Sequence, residues 1–269
     1  MNSQHCNNDL HEEMLILLKR FDDICCCHGI KYSLHGGTLL GAIREKGFIP
    51  WDDDIDITIT RDNYEKLKNS LQNDKSTSDL IFDEHFTSAP IIWMCRKGHI
   101  PVWIDVLIYD YISEHFVSQK LKFLGMVFFL GITKSQEGMK ITRLGEYKGI
   151  KYVIIFLLYF IGRFFSDKVK KRWQDQFGKK FFIGSKKFMV RSNDQYKALG
   201  LIIPTNAIVE YIRVPFEDIS LMVHKGYDEI LVSSYGKDYM KPVKNTDTAA
   251  MEADLIRLRG LNLQKEHTS

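Results

Sequence analysis

Four aspartates fall within five positions, Asp52, Asp53, Asp54 and Asp56, in the stretch FIPWDDDIDITIT. Carboxylates this close repel one another and raise one another's pKa values, so a folded chain keeps them ionised by binding a cation. From Asp54 to Ile59 polar and apolar residues alternate in the pattern of a half-buried strand, which puts Asp54 and Asp56 on one face and Asp53 on the other. A rise of about 3.3 Å per residue sets the two backbones about 7 Å apart, within reach of shared Mg²⁺. Taken alone, the aspartates also fit a solvated acidic turn, because short acidic runs are commonly surface features.

Upstream, Gly36-Gly37-Thr38 follows the strand-like run Ile30 to Leu34 and opens a helix expected from Thr38 to Glu45. Glycines permit close approach of backbone, and the free N–H groups of a helix start bind phosphate. The two stretches together specify a nucleotide phosphate held by backbone donors on one side and by metal-bound carboxylates on the other. Arg44 can pair with phosphate or the acidic cluster, or form a surface ion pair. Trp51 can stack on a base or an ammonium group through its ring face, or serve as a wedge that fixes the aspartates. Farther on, Asp105 interrupts the apolar run VWIDVLIYD, and a carboxylate in a core strand requires a partner.

The run GGTLLGAIREKGFIPWDDDIDI resembles the LicD-type proteins, which include bacterial phosphorylcholine transferases and fukutin-related transferases of animals. The resemblance implies a nucleotidyltransferase fold, whose signature is a Gly-Gly or Gly-Ser turn followed by an Asp-hydrophobic-Asp strand. Sixteen residues separate Gly37 from Asp54, a longer insert than many nucleotidyltransferases have and one that is similar to the LicD type. IDVLIYD is similar to a LicD-type IDVFPLD-like motif, without its Pro and Phe, and this implies that Asp105 is a third carboxylate, as metal ligand or base. Asp110 is the lesser candidate, with a turn or cap role as its alternative. The stretch from Val214 to Val243 is similar to the LicD-type closing motif, implying that Tyr235, Tyr239 and Met240 wall the nucleotide site.

The elements that must position these residues follow from composition and periodicity. The chain has 269 residues, of which 45% are apolar and 26% charged, enough to bury a full core. A net charge of +3 gives no argument for nucleic acid as a partner. The five cysteines include Cys25-Cys26-Cys27, which suit free thiols in a reducing compartment better than a zinc site with His28. Leu10, Met14, Leu17, Leu18, Phe21, Ile24 and Cys25 recur at helical spacing, predicting a helix from Asp9 to Gly29 with Asp9 and Glu12 as a capping box. The N-terminus lacks a basic start and an apolar core, so the chain is expected to stay in the cytoplasm.

From about His115 to Lys187 the apolar runs FLGMVFFLGI and YVIIFLLYFIG alternate with lysines and arginines. Neither run reaches the roughly 20 residues of a bilayer span. They fit either buried core helices or a segment lying in the interface of an anionic membrane, and the clustered basic residues favour the second.

The expected fold is α+β: a nucleotidyltransferase-like mixed β-sheet flanked by helices, with a helical, partly membrane-facing insertion. Its parts are a catalytic core over 1–114, the insertion over 115–195, a strand-helix block over 196–245 that completes the catalytic domain, and a polar tail over 246–269. The resemblance implies a Mg²⁺-dependent transferase, with Mn²⁺ as a substitute, that moves phosphocholine or a related phospho-alcohol from a CDP-linked donor to a glycan or lipid-linked glycan. Asp54, Asp56 and Asp105 would hold the metal; Gly36, Gly37, Thr38, Arg44 and Trp51 would bind the nucleotide. Such an enzyme is expected in the cytoplasm, peripheral at the inner face of the membrane. Two other readings keep the fold, namely transfer of NMP from an NTP, and a non-catalytic membrane-surface scaffold.

Overall fold

The computed structural model describes residues 3–84, 89–94, 99–135, 139, 149–194 and 199–242. The tail over 246–269, together with Cys95 and Lys148, lies outside the described residues.

Helix α1 (Ser3–Cys27) buries Met14, Leu17, Leu18, Phe21, Ile24 and Cys25, the stripe that the spacing predicts. Each such side chain contributes about 1.5–3 kcal/mol relative to exposure. The helix starts earlier than expected, so Asp9 and Glu12 lie in its interior and do not cap it. Its end is as expected: Gly29 takes φ +63°, and the Ile30 N–H returns to the Cys25 carbonyl at 2.8 Å.

Among the described residues, seven strands form one mixed sheet: β1 (Ser33–Leu34), β2 (Ile55–Thr60), β3 (Leu80–Asp83), β4 (Ile91–Met94), β5 (Trp103–Ile112), β6 (Phe188–Arg191) and β7 (Ile203–Pro204). The main path runs β1-β2-β5-β4-β3, and β6 joins β5 and β7. Strands β2 and β5 are parallel and the other pairs antiparallel. Strands β4 and β6 lie end to end along one edge of β5, and the Asn193 side chain bridges the gap between them. It accepts from the Ile108 N–H at 2.8 Å and donates to the Val106 carbonyl at 2.9 Å, taking the place of a missing ladder residue.

Helix α2 (Gly36–Arg44) follows β1 directly, two residues ahead of the expected start, and α3 (Arg61–Asn73) follows β2. The insertion forms α4 (Phe116–Thr133), α5 (Ile150–Gly162) and α6 (Asp167–Lys180). Helices α4 and α5 approach closely through glycine: a Cβ on Gly162 would stand 2.1 Å from the Ile132 carbonyl oxygen, and one on Gly131 would stand 2.6 Å from Leu158 Cβ. Lys122 of α4 is buried, and its ammonium donates to the carbonyls of Tyr111, Gly178 and Phe181, pinning the helix to the sheet and to α6. Helix α4 extends beyond the apolar run read from the sequence, and its 18 residues are long and apolar enough to cross a membrane by length and composition, with 28% of them buried. Helix α5, at 13 residues, is shorter than a span and buries only Ile155 and Gly162 among its residues.

The chain closes with α7 (Thr205–Ile208), the hairpin β8 (Tyr211–Phe216) and β9 (Ile219–His224), and α8 (Tyr227–Tyr235), which stops at Gly236. The hairpin docks beside β1, where the His224 N–H donates to Ser33 Oγ at 2.9 Å. Leu221, Val223, Ile230 and Leu231 thereby join the main core formed by α1, α2 and the sheet. The block after the insertion thus packs back onto the front of the chain, around the aspartates.

Candidate active site

Asp54 stands one residue before β2, and Asp56 lies within it. Asp56 and Asp105 are register partners on the parallel strands β2 and β5. Partners on adjacent strands project from the same face with backbones about 4.8 Å apart. Burial raises the Asp54 carboxyl well above its usual pKa, and Asp56, Asp52, Asp105 and Asp53 push it further. Asp56 is raised by burial and then by Asp105, Asp194 and Asp52, while Arg191 pulls it down. The pair read as metal ligands from their spacing and the strand carboxylate added by resemblance therefore share one desolvated, mutually repelling cluster, and Asp52 is drawn into it as well.

The Gly-Gly turn abuts these carboxylates. Gly36 sits at φ +55°, where a Cβ would lie 2.7 Å from Asp56 Oδ2; on Gly37 a Cβ would lie 2.3 Å from Asp52 Oδ2. Only a residue without a side chain brings the start of α2 this close. The His35 N–H donates to the Asp56 carbonyl at 2.9 Å, and Thr38 Oγ1 accepts from the Asp56 N–H at 3.1 Å, locking the helix start to the strand. The N-terminal turn of α2, with its unpaired backbone donors, therefore opens onto the acidic face.

Arg191, at the end of β6, lies 4% exposed beside this face. Its Nε reaches Asp194 Oδ2 at 2.6 Å, and its Nη1 donates to the ring of His35. Burial and then Arg191 hold the His35 pKa well below the usual value, so the imidazole is neutral and accepts that bond. Sequence reasoning passed over Arg191, Asp194 and His35. The available signal was an arginine closing the apolar run FMV, a charge in a core strand. Tyr235, at the end of α8, has its pKa pushed up to about 12 by burial and then by Asp52, Asp56 and Asp54, which places its phenol beside the cluster.

Arg44, Trp51 and Asp110 each make contacts of their own. Arg44 pairs with Glu45 at 2.7 Å and donates to the Tyr239 carbonyl at 3.3 Å, tying α2 to the turn after α8. Trp51 packs half-buried against the main core just ahead of the aspartates, the wedge position. Asp110 points through the opposite face of β5 and binds Arg61 at 2.8 and 2.7 Å, a buried structural pair. Cys25, Cys26 and Cys27 are free thiols.

Among the described residues no group of three or more His, Cys, Asp or Glu side chains is arranged to hold a metal ion. The donor set at Asp54, Asp56 and Asp105 is nonetheless one of hard oxygens, desolvated and short of positive charge. That suits Mg²⁺, which takes one or two carboxylates and fills its octahedron with water and substrate phosphate.

The sheet thus sets a Gly-Gly helix start against aspartates on adjacent parallel strands. Residues 29–123 match the model of the LicD/FKTN/FKRP family, nucleotidyltransferase domain. The chain is 38% identical over 117 residues to the lipopolysaccharide cholinephosphotransferase LicD of Haemophilus influenzae, covering 38% of this chain and 44% of the relative. It is also 28% identical over 106 residues to an uncharacterised protein of Rickettsia prowazekii, covering 37% of this chain and 40% of that one. The matched stretch thus spans less than half the length of either relative.

Proposed function

We propose that the protein transfers a phospho-alcohol, phosphocholine before others, from a CDP-linked donor to a hydroxyl of a cell-surface glycan or its lipid-linked precursor. The observation that carries this reading is the pairing of Asp56 with Asp105 across β2 and β5, beside Asp54 and against the Gly36-Gly37 helix start. The family match and the cholinephosphotransferase relative support the transferase class. Asp54 and Asp56 would hold Mg²⁺, with Asp105 beside them; when bound, the ion supplies charge neutralisation at the donor diphosphate. The N–H groups of the α2 start, at Gly37 and Thr38, would bind the donor phosphates. Arg191 balances the Asp56 side of the cluster and, through His35, steadies the turn that presents Gly36. Asp105 would accept the proton of the acceptor hydroxyl if it is not itself a ligand. Tyr235 walls the cluster on the α8 side and limits its access to water.

The acceptor reading gains from the insertion. Phe116, Leu124, Ile150, Ile154, Leu157 and Phe160 are all at least 49% exposed on α4 and α5, with Lys120, Lys151 and Arg163 interspersed. An apolar surface ringed by basic side chains fits the headgroup boundary of an anionic leaflet, which would hold the enzyme peripherally at the inner face of the membrane.

The test is incubation with CDP-choline, CDP-glycerol or CDP-ribitol, an acceptor glycan and Mg²⁺. CMP release supports phospho-alcohol transfer; pyrophosphate from an NTP, with CMP absent, moves the assignment to nucleotidyl transfer. Vesicles with anionic lipid should pellet the protein and neutral vesicles less so; equal, negligible pelleting removes the membrane assignment.

A further inference from the structure

A second cavity, of about 470 Å³, opens on the reverse face of the sheet, between α3 and α6. On β5 the acidic site uses Asp105, whereas this cleft is floored by Ile108, three residues on and therefore on the other face. It reaches the sheet at Ser192 and Asn193, where β4 gives way to β6. Its volume is that of a small-molecule site.

The charges around it are unevenly matched. Arg61 is taken by Asp110 and Asp175, and Lys68 by Glu84 at 2.6 Å. From the opposite wall, Lys168, Lys171 and Arg172 of α6 line the cleft at positions i, i+3 and i+4, on one side of the helix. None of the three has a hydrogen-bond or ion-pair partner among the described residues. The Lys171 ammonium nitrogen is also shielded from solvent and makes no hydrogen bond. Burial pushes its pKa down to about 8, against the pull of Asp167 and Asp83. An ammonium taken out of water without a partner is unfavourable unless an anion arrives to meet it.

We propose that this cleft binds a phosphate group, with Lys171 at its base and Lys168 and Arg172 at its mouth. Three cations call for a multiply charged anion, and the planar guanidinium of Arg172 matches phosphate oxygens two at a time. Ser192 and the Asn193 region add neutral polar lining. The site is independent of the transfer reaction, since it shares no residue with the carboxylate cluster. The phosphate can come from a soluble molecule or from a lipid headgroup, because Trp173, 42% exposed on the same helix, packs against the exposed Phe165 beside the apolar surface of α5.

The experiment is calorimetric titration of the full chain with inorganic diphosphate in metal-free buffer, in which the acidic site repels anions. Wild type and Asp56→Asn should bind equally, while Lys171→Met should lose affinity at least tenfold and the Lys168→Ala, Arg172→Ala double variant at least as much. Lys171→Met should melt no lower than wild type, because it removes an unpaired buried charge, so lost binding cannot be ascribed to misfolding. A lipid source is read in parallel from neutral vesicles carrying phosphatidic acid, against vesicles of equal charge made with phosphatidylserine; stronger, Lys171-dependent binding to the phosphomonoester lipid assigns the headgroup. Binding of neither probe, or binding that Lys171→Met leaves unchanged, overturns the proposal. Diphosphate binding that strengthens in Asp56→Asn, where a repelling charge is gone, would place the anion at the carboxylates and overturn it as well.

Discussion

Asp56 and Asp105 stand opposite each other in the β2–β5 ladder, two carboxylates in register on adjacent parallel strands. Neither belongs there on stability grounds. Asp105 is the first charged neighbour to raise Asp56, ahead of Asp194 and Asp52, and Arg191 only partly offsets them. Asp56→Asn should therefore stabilise the metal-free protein. A gain of 1 kcal/mol would raise Tm by about 2–4 °C in a chain of this size. Millimolar Mg²⁺ or Mn²⁺ should raise the Tm of wild type and leave that of Asp56→Asn unchanged. Differential scanning fluorimetry with and without the ion reads both effects.

The Gly-Gly turn makes a second prediction. Ala at position 36 must accept φ near +55° and drive its Cβ into the Asp56 carboxylate. Gly36→Ala should cost about 1 kcal/mol or more in stability and displace the carboxylate, lowering kcat severalfold or more. Gly29→Ala, at a similar φ of +63° but with open space around it, should show the stability cost without the loss of activity. Urea melts and a rate assay on both variants separate strain from displacement.

His224 makes the acid behaviour predictable. Burial lowers its pKa to about 3, and its Nε2 meets Thr58 Oγ1 at 3.2 Å. Its folded pKa lies below the unfolded value of about 6.5, so between these limits the unfolded chain binds the extra proton. Stability should thus fall as pH drops through this window, by up to about 1.4 kcal/mol per pH unit for this one group. His35 is lowered as well and adds to the slope. The raised Asp54 and Asp56 carboxyls act in the opposite direction, so His224→Gln, which removes the histidine contribution alone, should lose less stability than wild type, or gain more, between pH 6.5 and 4 in urea melts.

Arg61 and Asp110 form a buried pair behind the carboxylate face, with side chains 8% and 2% exposed. Asp110→Asn should destabilise by about 1–3 kcal/mol, because Arg61 loses its buried counter-charge and keeps only the partly exposed Asp175. Replacing both partners with apolar residues should cost less than the single change. A double-mutant cycle by chemical denaturation measures the difference.

The parts of the site that were legible in the sequence are those written locally. Asp54, Asp56 and the Gly36-Gly37 turn lie within 21 residues and carry strand alternation and helix-start chemistry on their surface. Asp105 needed one more step, a charge inside an apolar run. Arg191 and Asp194 fall inside the 115–195 segment read from the sequence as the insertion, and no period or spacing ties them to residue 56; only the β5–β6 pairing brings them in. Arg44 shows the converse limit. Its place on α2 was readable, but its direction was decided by the carbonyl of Tyr239, 195 residues away. The stripe of α1 was readable from periodicity, whereas its start was not, because Asp9 and Glu12 form a capping pattern inside a helix that already runs from Ser3.

The measurement closest to the central claim is Mg²⁺-dependent release of CMP from CDP-choline, compared between wild type and the Asp54→Asn, Asp56→Asn double variant. CMP should appear with wild type only when Mg²⁺ or Mn²⁺ is present, and it should fall by at least a thousandfold in a double variant that melts no lower than wild type. CMP release that survives the double change, or that persists in excess chelator, would contradict the assignment of Asp54 and Asp56.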